Sequence, residues 1–311
     1  MSKTIRHLLT LEELSNKELL GLLKLASQVK KKPAKYKKAL KGQALGMIFE
    51  KSSTRTRVSF EVGMFQLGGH ALFLNSNDIQ IGRGETIADT ARVLSRFVQG
   101  IMIRTFAHKI VEELSQHATV PVINGLTDSH HPCQILADLQ TLLEHYGKLK
   151  GLKIVFVGDG NNVSHSLMIG AAKTGAYFKL VCPKGYEPDA AILGRAQKES
   201  AKTGSSIEVT HQVQGSVKGA DAVYTDVWTS MGQEAEKTKR LNDFKGFQVD
   251  EKLMAESPKA VFLHCLPAHR GEEVSAGVMD GNQSLVFDQA ENRLHAQKAL
   301  LITLMGKRNK S

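Results

Sequence analysis

Apolar positions along the chain alternate between two rhythms. Short, nearly solid apolar runs at 44–49, 70–74, 100–104 and 120–124 read as buried strands. Between them lie stretches with apolar residues three or four apart, at 85–97, 108–117 and 131–146, which read as helices. An amphipathic helix over 11–31 (Leu14, Leu19, Leu22, Leu23, Leu25) precedes them. Gly147 stops the first series. The rhythm restarts at Gly151, with strands at 152–158, 177–181, 207–210, 222–225 and 261–264 and helices ending at Thr174 and spanning 188–203.

Strands alternating with helices at this spacing predict α/β architecture: two domains, each a parallel sheet with helices on both faces. The expected domains are 1–147 and 148–311. A final amphipathic helix over 289–305 follows completion of the second sheet and is expected to pack back on the first domain.

One strand-to-helix joint stands out. After the 44–49 strand come Lys51-Ser52-Ser53, then a helical pattern over 54–67. Apolar residues at 58, 62 and 65 lie on one face and 60, 64 and 67 on another, which predicts a largely buried helix. It opens on Ser53-Thr54-Arg55-Thr56-Arg57. Free backbone N–H groups, the positive end of the helix dipole, hydroxyls and two guanidinium groups meet there, as a phosphate dianion requires. The plainer alternative is a Ser-capped helix with two surface arginines.

Ligands of open α/β sheets bind beyond the carboxyl ends of the strands, so each strand end carries information. Arg104 follows the 100–104 strand's apolar run, and His131 and Gln134 follow the 120–124 strand. Together with the joint they suit a small, oxygen-rich anion. In the second half, Asp159, Asn161 and Asn162 follow the first strand, Asp226, Ser230 and Met231 follow the 222–225 strand, and Cys265-Leu266-Pro267 follow the last. Asp226 with asparagines and a serine suits an amino acid. The G-D-G-N-N stretch is no dinucleotide fingerprint. Its sixth position is Val163 where Gly or Ala is needed, and the next strand ends Val181-Cys182-Pro183-Lys184 without an acidic residue for a ribose. His264 neighbours Cys265 in sequence, so strand alternation turns it to the opposite face and makes it a poor base for the thiol.

Composition sharpens the picture mainly by exclusion. The 311 residues carry a net charge of +10. Residues 1–50 hold 11 Lys/Arg against 4 Glu, the tail adds Lys307, Arg308 and Lys310, and the body 51–306 has 27 basic and 27 acidic residues. The excess is a solvated terminal run, above all 30–41, rather than a nucleic-acid surface. No stretch approaches the ~20 apolar residues of a membrane span. The N-terminus shows neither a signal-peptide nor a transit-peptide pattern, and three cysteines without metal-like spacing fit a reducing compartment. A cytoplasmic enzyme is expected.

K-x-S-T-R-T-R after a strand and H-P-x-Q opening a mid-chain helix resemble the aspartate/ornithine carbamoyltransferase superfamily. D-V-W-T-S-M-G (226–232) and H-C-L-P (264–267) resemble its ornithine branch. The resemblance runs from about Leu8 to Leu304. It implies an active site in the cleft between two domains, and carbamoyl transfer to the δ-amine of L-ornithine, giving citrulline and phosphate in arginine metabolism, in either the biosynthetic or the degradative direction. Putrescine or an acylated ornithine is the alternative acceptor. It assigns Ser53, Thr54, Arg55, Thr56, Arg104, His131, Pro132, Cys133, Gln134, Cys265, Leu266 and Arg293 to carbamoyl phosphate, with Gln80 reaching over from a neighbouring subunit. It assigns Asn162, Asp226, Ser230 and Met231 to ornithine. Arg55, Arg104, His131, Cys265 and Asp226 are the residues expected at the chemistry. The family is trimeric and uses no metal or organic cofactor; neither nucleic acid nor membrane is an expected partner.

Overall fold

The computed structural model describes residues 6–81, 84–230 and 232–306. In chain order the first series is α1 (Asn16–Lys31), β1 (Ala44–Phe49), α2 (Thr54–Gln66), β2 (His70–Asn75), α3 (Ile87–Phe97), β3 (Gly100–Arg104), α4 (His108–His117), β4 (Val122–Leu126) and α5 (Pro132–Tyr146). The second is β5 (Lys153–Val157), α6 (Asn162–Thr174), β6 (Tyr177–Val181), α7 (Ala190–Thr203), β7 (Ile207–Thr210), β8 (Ala222–Thr225), α8 (Lys237–Asp243), α9 (Glu251–Ala255), β9 (Val261–His264) and α10 (Ala276–Met279), followed by α11 (Val286–Met305).

Two compact units result: Met1–Gln140 with Asn292–Ser311, and Thr141–Glu291. The chain passes from one unit to the other inside α5 and returns inside α11. In the first unit the C-terminal part of α11 is tied down by polar bonds. Lys30 Nζ donates to Asn292 Oδ1 at 2.8 Å, and Lys298 Nζ, almost wholly buried, donates to Gln66 Oε1 at 2.7 Å.

Both sheets are parallel throughout. The first has strand order β2-β1-β3-β4 and the second β7-β6-β5-β8-β9. Each order reverses once, between β1 and β3 in the first sheet and between β5 and β8 in the second. At such a reversal the connections leave to opposite faces and open a crevice at the strand ends. The first unit's core includes Ile48, Ile101, Ile103, Val111, Leu114 and Val122; the second's includes Val155, Val157, Val223, Phe262 and Val274.

Three local departures from the sequence reading have physical causes. Helix α1 begins at Asn16, not at 11, because Ser15 caps it: its hydroxyl accepts from Glu18 N while the Glu18 carboxylate accepts from Ser15 N. Strand β4 lies two residues later than 120–124. Pro121, without an N–H, offers only its carbonyl, to Ile101 N at 2.8 Å, and pairing to β3 shifts register at Ile103/Arg104. Helix α2 is not buried on both apolar faces. Phe60, Met64 and Leu67 are in the core, whereas Val58, Val62 and Phe65 are exposed, Phe65 by 79%.

Candidate functional site

The first unit's reversal lies between β1 and β3, so the residues after those strands face one crevice. Ser53 ends the turn after β1 in extended conformation (φ −165°, ψ 114°) and caps α2, its hydroxyl accepting from Thr56 N at 3.2 Å. Lys51 holds that turn from beneath. Its buried ammonium reaches Asp128 Oδ1 at 2.5 Å and lies 4.2 Å from the centre of the Phe106 ring. Thr54 is exposed, Arg55 half-buried and Thr56 buried.

Arg104 ends β3 and is buried, with Glu50 N donating to its carbonyl. His131 precedes α5, and its carbonyl accepts from Gln134 N, starting the helix. Arg293 of α11 completes the group. It donates from Nη1 to Gln134 Oε1 at 2.6 Å and from Nη2 to Thr56 Oγ1 at 3.1 Å, while Gln134 Nε2 donates to Asp138 Oδ1 at 2.8 Å.

The electrostatics are one-sided. Burial, and then the charges of Arg293, Arg104 and Arg55, hold His131 well below the ordinary imidazole range. It is therefore a neutral ring at neutral pH, able to donate from one nitrogen and accept at the other. Three guanidinium groups, a helix N-terminus and a neutral imidazole form a receptacle for an anion with a polar, uncharged appendage.

Pro132 and Cys133 are buried. The Cys133 thiol donates to Asn124 O at 3.3 Å and burial pushes it up to about 12, so its side chain serves packing. Gln80 is exposed in the connection between β2 and α3.

In the second unit the reversal lies between β5 and β8, where Thr225 Oγ1 donates to Val157 O at 2.6 Å and a second side-chain bond reaches across beyond the strand ends. Asn161, the N-cap of α6, accepts at Oδ1 from Val163 N and Ser164 N, and donates from Nδ2 to Asp226 Oδ2 at 2.9 Å. The Cys265 thiol donates to the other oxygen, Oδ1, at 3.0 Å. Asp226, 6% exposed, is thus held from both sides as an acceptor for a cationic group. Asn162 and Ser230 are half-buried nearby in sequence, Ser230 N donating to Gln233 Oε1; Met231 lies outside the described residues.

Arg240 of α8 has no signal in the sequence, yet it fastens the segment after β8. It donates to Asp159 Oδ2 at 2.6 Å, to Trp228 O at 3.0 Å and to Glu236 Oε2 at 2.9 Å. Burial raises the Asp159 carboxyl above its usual range, and Arg240 works against that rise.

His264 does not turn away from Cys265. Cys265 lies beyond the end of β9, so alternation no longer governs it, and ligand atoms of Asp226, His264 and Cys265 lie within 4.8 Å of one another. His264 is still no base for the thiol. Its Nδ1 accepts from Leu266 N at 2.8 Å, and its Nε2 faces Glu273 Oε1 at 3.2 Å, so both nitrogens are engaged. That engagement also weighs against His264 as a metal ligand.

Known proteins resemble this chain along nearly all of its length. Residues 6–144 match the aspartate/ornithine carbamoyltransferase carbamoyl-P binding domain, and residues 150–304 the Asp/Orn binding domain of the same family. An ornithine carbamoyltransferase of Oceanobacillus iheyensis is 58% identical over 303 residues, 96% of this chain and 94% of the relative. The ornithine carbamoyltransferase structure from Pyrococcus furiosus superposes with a TM-score of 0.95 at 54% identity, covering 99% of this chain and all of that one. An acetylornithine transcarbamylase complexed with acetylcitrulline superposes at 0.88 with 34% identity, covering 97% of this chain and all of that one. With a polar cluster at each sheet's reversal and both domain types matched in order, the chain belongs to the aspartate/ornithine carbamoyltransferase family.

Proposed function

We propose that the protein transfers the carbamoyl group of carbamoyl phosphate to the δ-amine of L-ornithine, producing citrulline and phosphate in arginine biosynthesis. The observation that carries this reading is the Arg293 fork, which joins Thr56 in the first turn of α2 to Gln134 of α5, with His131 beside it held neutral by burial and by the charges of Arg293, Arg104 and Arg55. A phosphate dianion matches the helix terminus and arginines. An uncharged carbonyl matches a neutral imidazole, which polarises it without protonating it.

The phosphate end falls to Ser53, Thr54, Arg55 and Thr56, with Arg293 closing from α11. Arg104 and His131 address the carbonyl oxygen as charge develops there in the tetrahedral intermediate, and Gln134 the carbamoyl nitrogen. Each donor aimed at that oxygen is worth about 2–4 kcal/mol in the transition state. On the acceptor side Asp226 binds the α-ammonium of ornithine, with Asn162 and Ser230 positioning the amino acid. Cys265 fixes Asp226, and the Cys265-Leu266 segment approaches the reacting groups.

The δ-amine must lose a proton before it attacks. With a pKa near 10.4 it is about 3 units too basic at pH 7, an obstacle of roughly 4–5 kcal/mol. Neighbouring guanidinium charge and exclusion of water both lower that pKa. The first proton passes to solvent before attack and the departing phosphate takes the second as the C–O bond to it breaks, so the transfer balances without a redox partner.

The exposed stripe of Val58, Val62 and Phe65 on α2 supports assembly of several copies of the chain, a trimer in this reading, with Gln80 serving a neighbour's site. No helix among the described residues is long and apolar enough to cross a membrane, and a cytoplasmic enzyme is proposed.

Colorimetric detection of the ureido product formed from carbamoyl phosphate, run in parallel with ornithine, putrescine and N-acetylornithine, tests the assignment. Ornithine is expected to be used at least about 100-fold better than N-acetylornithine, which lacks the ammonium proposed to pair with Asp226, and better than putrescine, which keeps an ammonium but lacks the α-carboxylate of the amino acid that Asn162 and Ser230 are proposed to position. Preference for either alternative overturns the choice of acceptor.

A further inference from the structure

Leu266 adopts a left-handed backbone (φ 61°) just before a cis bond to Pro267. An L-residue with a branched side chain is disfavoured there and stays only where its surroundings hold it. The holding contact is specific. Leu266 N donates to His264 Nδ1 at 2.8 Å, so that nitrogen carries no proton and the ring's proton must be on Nε2. Nε2 then donates to Glu273 Oε1 at 3.2 Å.

Both partners are fixed in turn. Glu273 is fully buried, and the same Oε1 accepts from His269 N at 2.6 Å. The His264 backbone N donates to Gln289 Oε1 at 3.0 Å, whose Nε2 donates to Tyr224 OH at 3.1 Å. His264 also closes the β8–β9 ladder opposite Thr225, the residue before Asp226. A neutral imidazole in a set tautomer thus links the end of β9 to the turn that follows it.

We infer that His264, oriented by Glu273, is a positioning residue: it holds the Leu266 backbone so that Cys265 meets Asp226. This rests on the proposed use of Asp226 and the Cys265-Leu266 segment in acceptor binding. Both ring nitrogens of His264 are engaged within the protein, which leaves it no polar atom to offer a substrate. Its contribution lies in the tautomer, since an Nδ1 bearing a proton would set two donors against each other and push the Leu266 amide away.

The two amide side chains separate this role from simple packing. In His264→Asn, Oδ1 falls where Nδ1 was and still accepts from Leu266 N. In His264→Gln the amide reaches Glu273 instead and leaves Leu266 N without its acceptor. H264N is expected to retain kcat/KM for ornithine within about fivefold. H264Q is expected to lose about 100-fold, the effect of an ångström-scale misplacement, while KM for carbamoyl phosphate moves less than about threefold.

Amide hydrogen exchange on the full-length protein gives a readout independent of catalysis. The Leu266 amide should be protected in wild type and H264N and exposed in H264Q. Equal activity and equal protection in the two variants overturn the inference, as does an H264N as impaired as H264Q. If H264Q does not fold, wild type alone decides, because a freely exchanging Leu266 amide overturns the inference as well. Absence of citrulline from wild type together with a protected Leu266 amide would overturn the proposed reaction and leave the contact standing.

Discussion

Arg293 and Thr56 stand 237 positions apart in the chain, yet Nη2 of one donates to Oγ1 of the other at 3.1 Å. The same guanidinium, 3% exposed, donates from Nη1 to Gln134. One fork thus braces the helix after β1 and the helix after β4. Lysine keeps the charge but cannot span both acceptors. Arg293→Lys is therefore expected to weaken inorganic phosphate binding by about 1.5–3 kcal/mol, roughly 10- to 150-fold, as measured by calorimetry. An unchanged affinity would mean that Arg293 only braces the fold.

His131 links the site to stability. Its folded pKa lies well below the unfolded value of 6.5, chiefly through burial. The unfolded chain therefore takes up a proton, as pH falls through 6.5, that the folded chain refuses. The folded state's advantage is complete above that pH and erodes below it, by about 1.4 kcal/mol per pH unit, until the folded pKa is reached. Denaturant titrations between pH 7 and 5 should show this slope in wild type. In His131→Asn the slope should be shallower by that amount, what remains coming from His7 and His108, which burial also lowers.

Most strands are legible in the sequence because each is a short apolar run closed by polar or glycine residues, and parallel pairing between covered faces demands that pattern. The STRTR joint is legible for the same reason, since strand, turn and cap are contiguous. Contacts made across long sequence separations are not. Arg293 has no local feature that tells it from a surface arginine, and its place was expected only through the family resemblance. Arg240 gives no signal at all, because its partners Asp159 and Trp228 come from other loops. Periodicity finds the stripe of Val58, Val62 and Phe65 but cannot say whether a stripe faces the core. His264 shows where alternation ends: one residue past β9 the backbone turns, and the side chains of 264 and 265 come near each other.

Asp226→Asn separates the proposed ornithine role from the proposed phosphate role. The carboxylate accepts from both Asn161 and Cys265, and an amide can accept on only one side while losing the charge proposed to pair with the ornithine ammonium. The expected loss in kcat/KM for ornithine is about 2–4 kcal/mol, roughly 30- to 1,000-fold. Phosphate affinity should remain within about twofold, since the arginines and helix terminus proposed to hold it belong to the first unit. A parallel loss of phosphate affinity would show that the substitution disturbs more than the acceptor half.

Arg240→Met leaves Asp159 buried without its cation. Breaking such a pair costs about 3–5 kcal/mol. Without Arg240 the Asp159 carboxyl, already raised by burial, rises further, so the loss should be largest near pH 8 and shrink as acid protonates it. Adding Asp159→Asn should recover part of the stability. Ornithine KM should rise in both variants, because the carbonyl of Trp228, ahead of Ser230, loses its donor.

Phe65 bears on assembly. Val58, Val62 and Phe65 lie at spacings of four and three along α2, so their side chains form one stripe, while Phe60, Met64 and Leu67 on the other side fill the core. A surface phenylalanine 79% exposed contributes little to the fold of its own unit. Phe65→Glu should therefore keep the melting behaviour of an isolated chain. In an assembled protein it would place a charge in an apolar contact, at a cost of several kcal/mol per site. Light scattering coupled to size exclusion should show the wild-type mass fall to that of one chain. If Gln80 acts in a neighbour's site, carbamoyl transfer should fall with the mass, and Gln80→Ala in the intact assembly should reproduce part of that loss. A variant that stays assembled and active would move the contact between copies to another face.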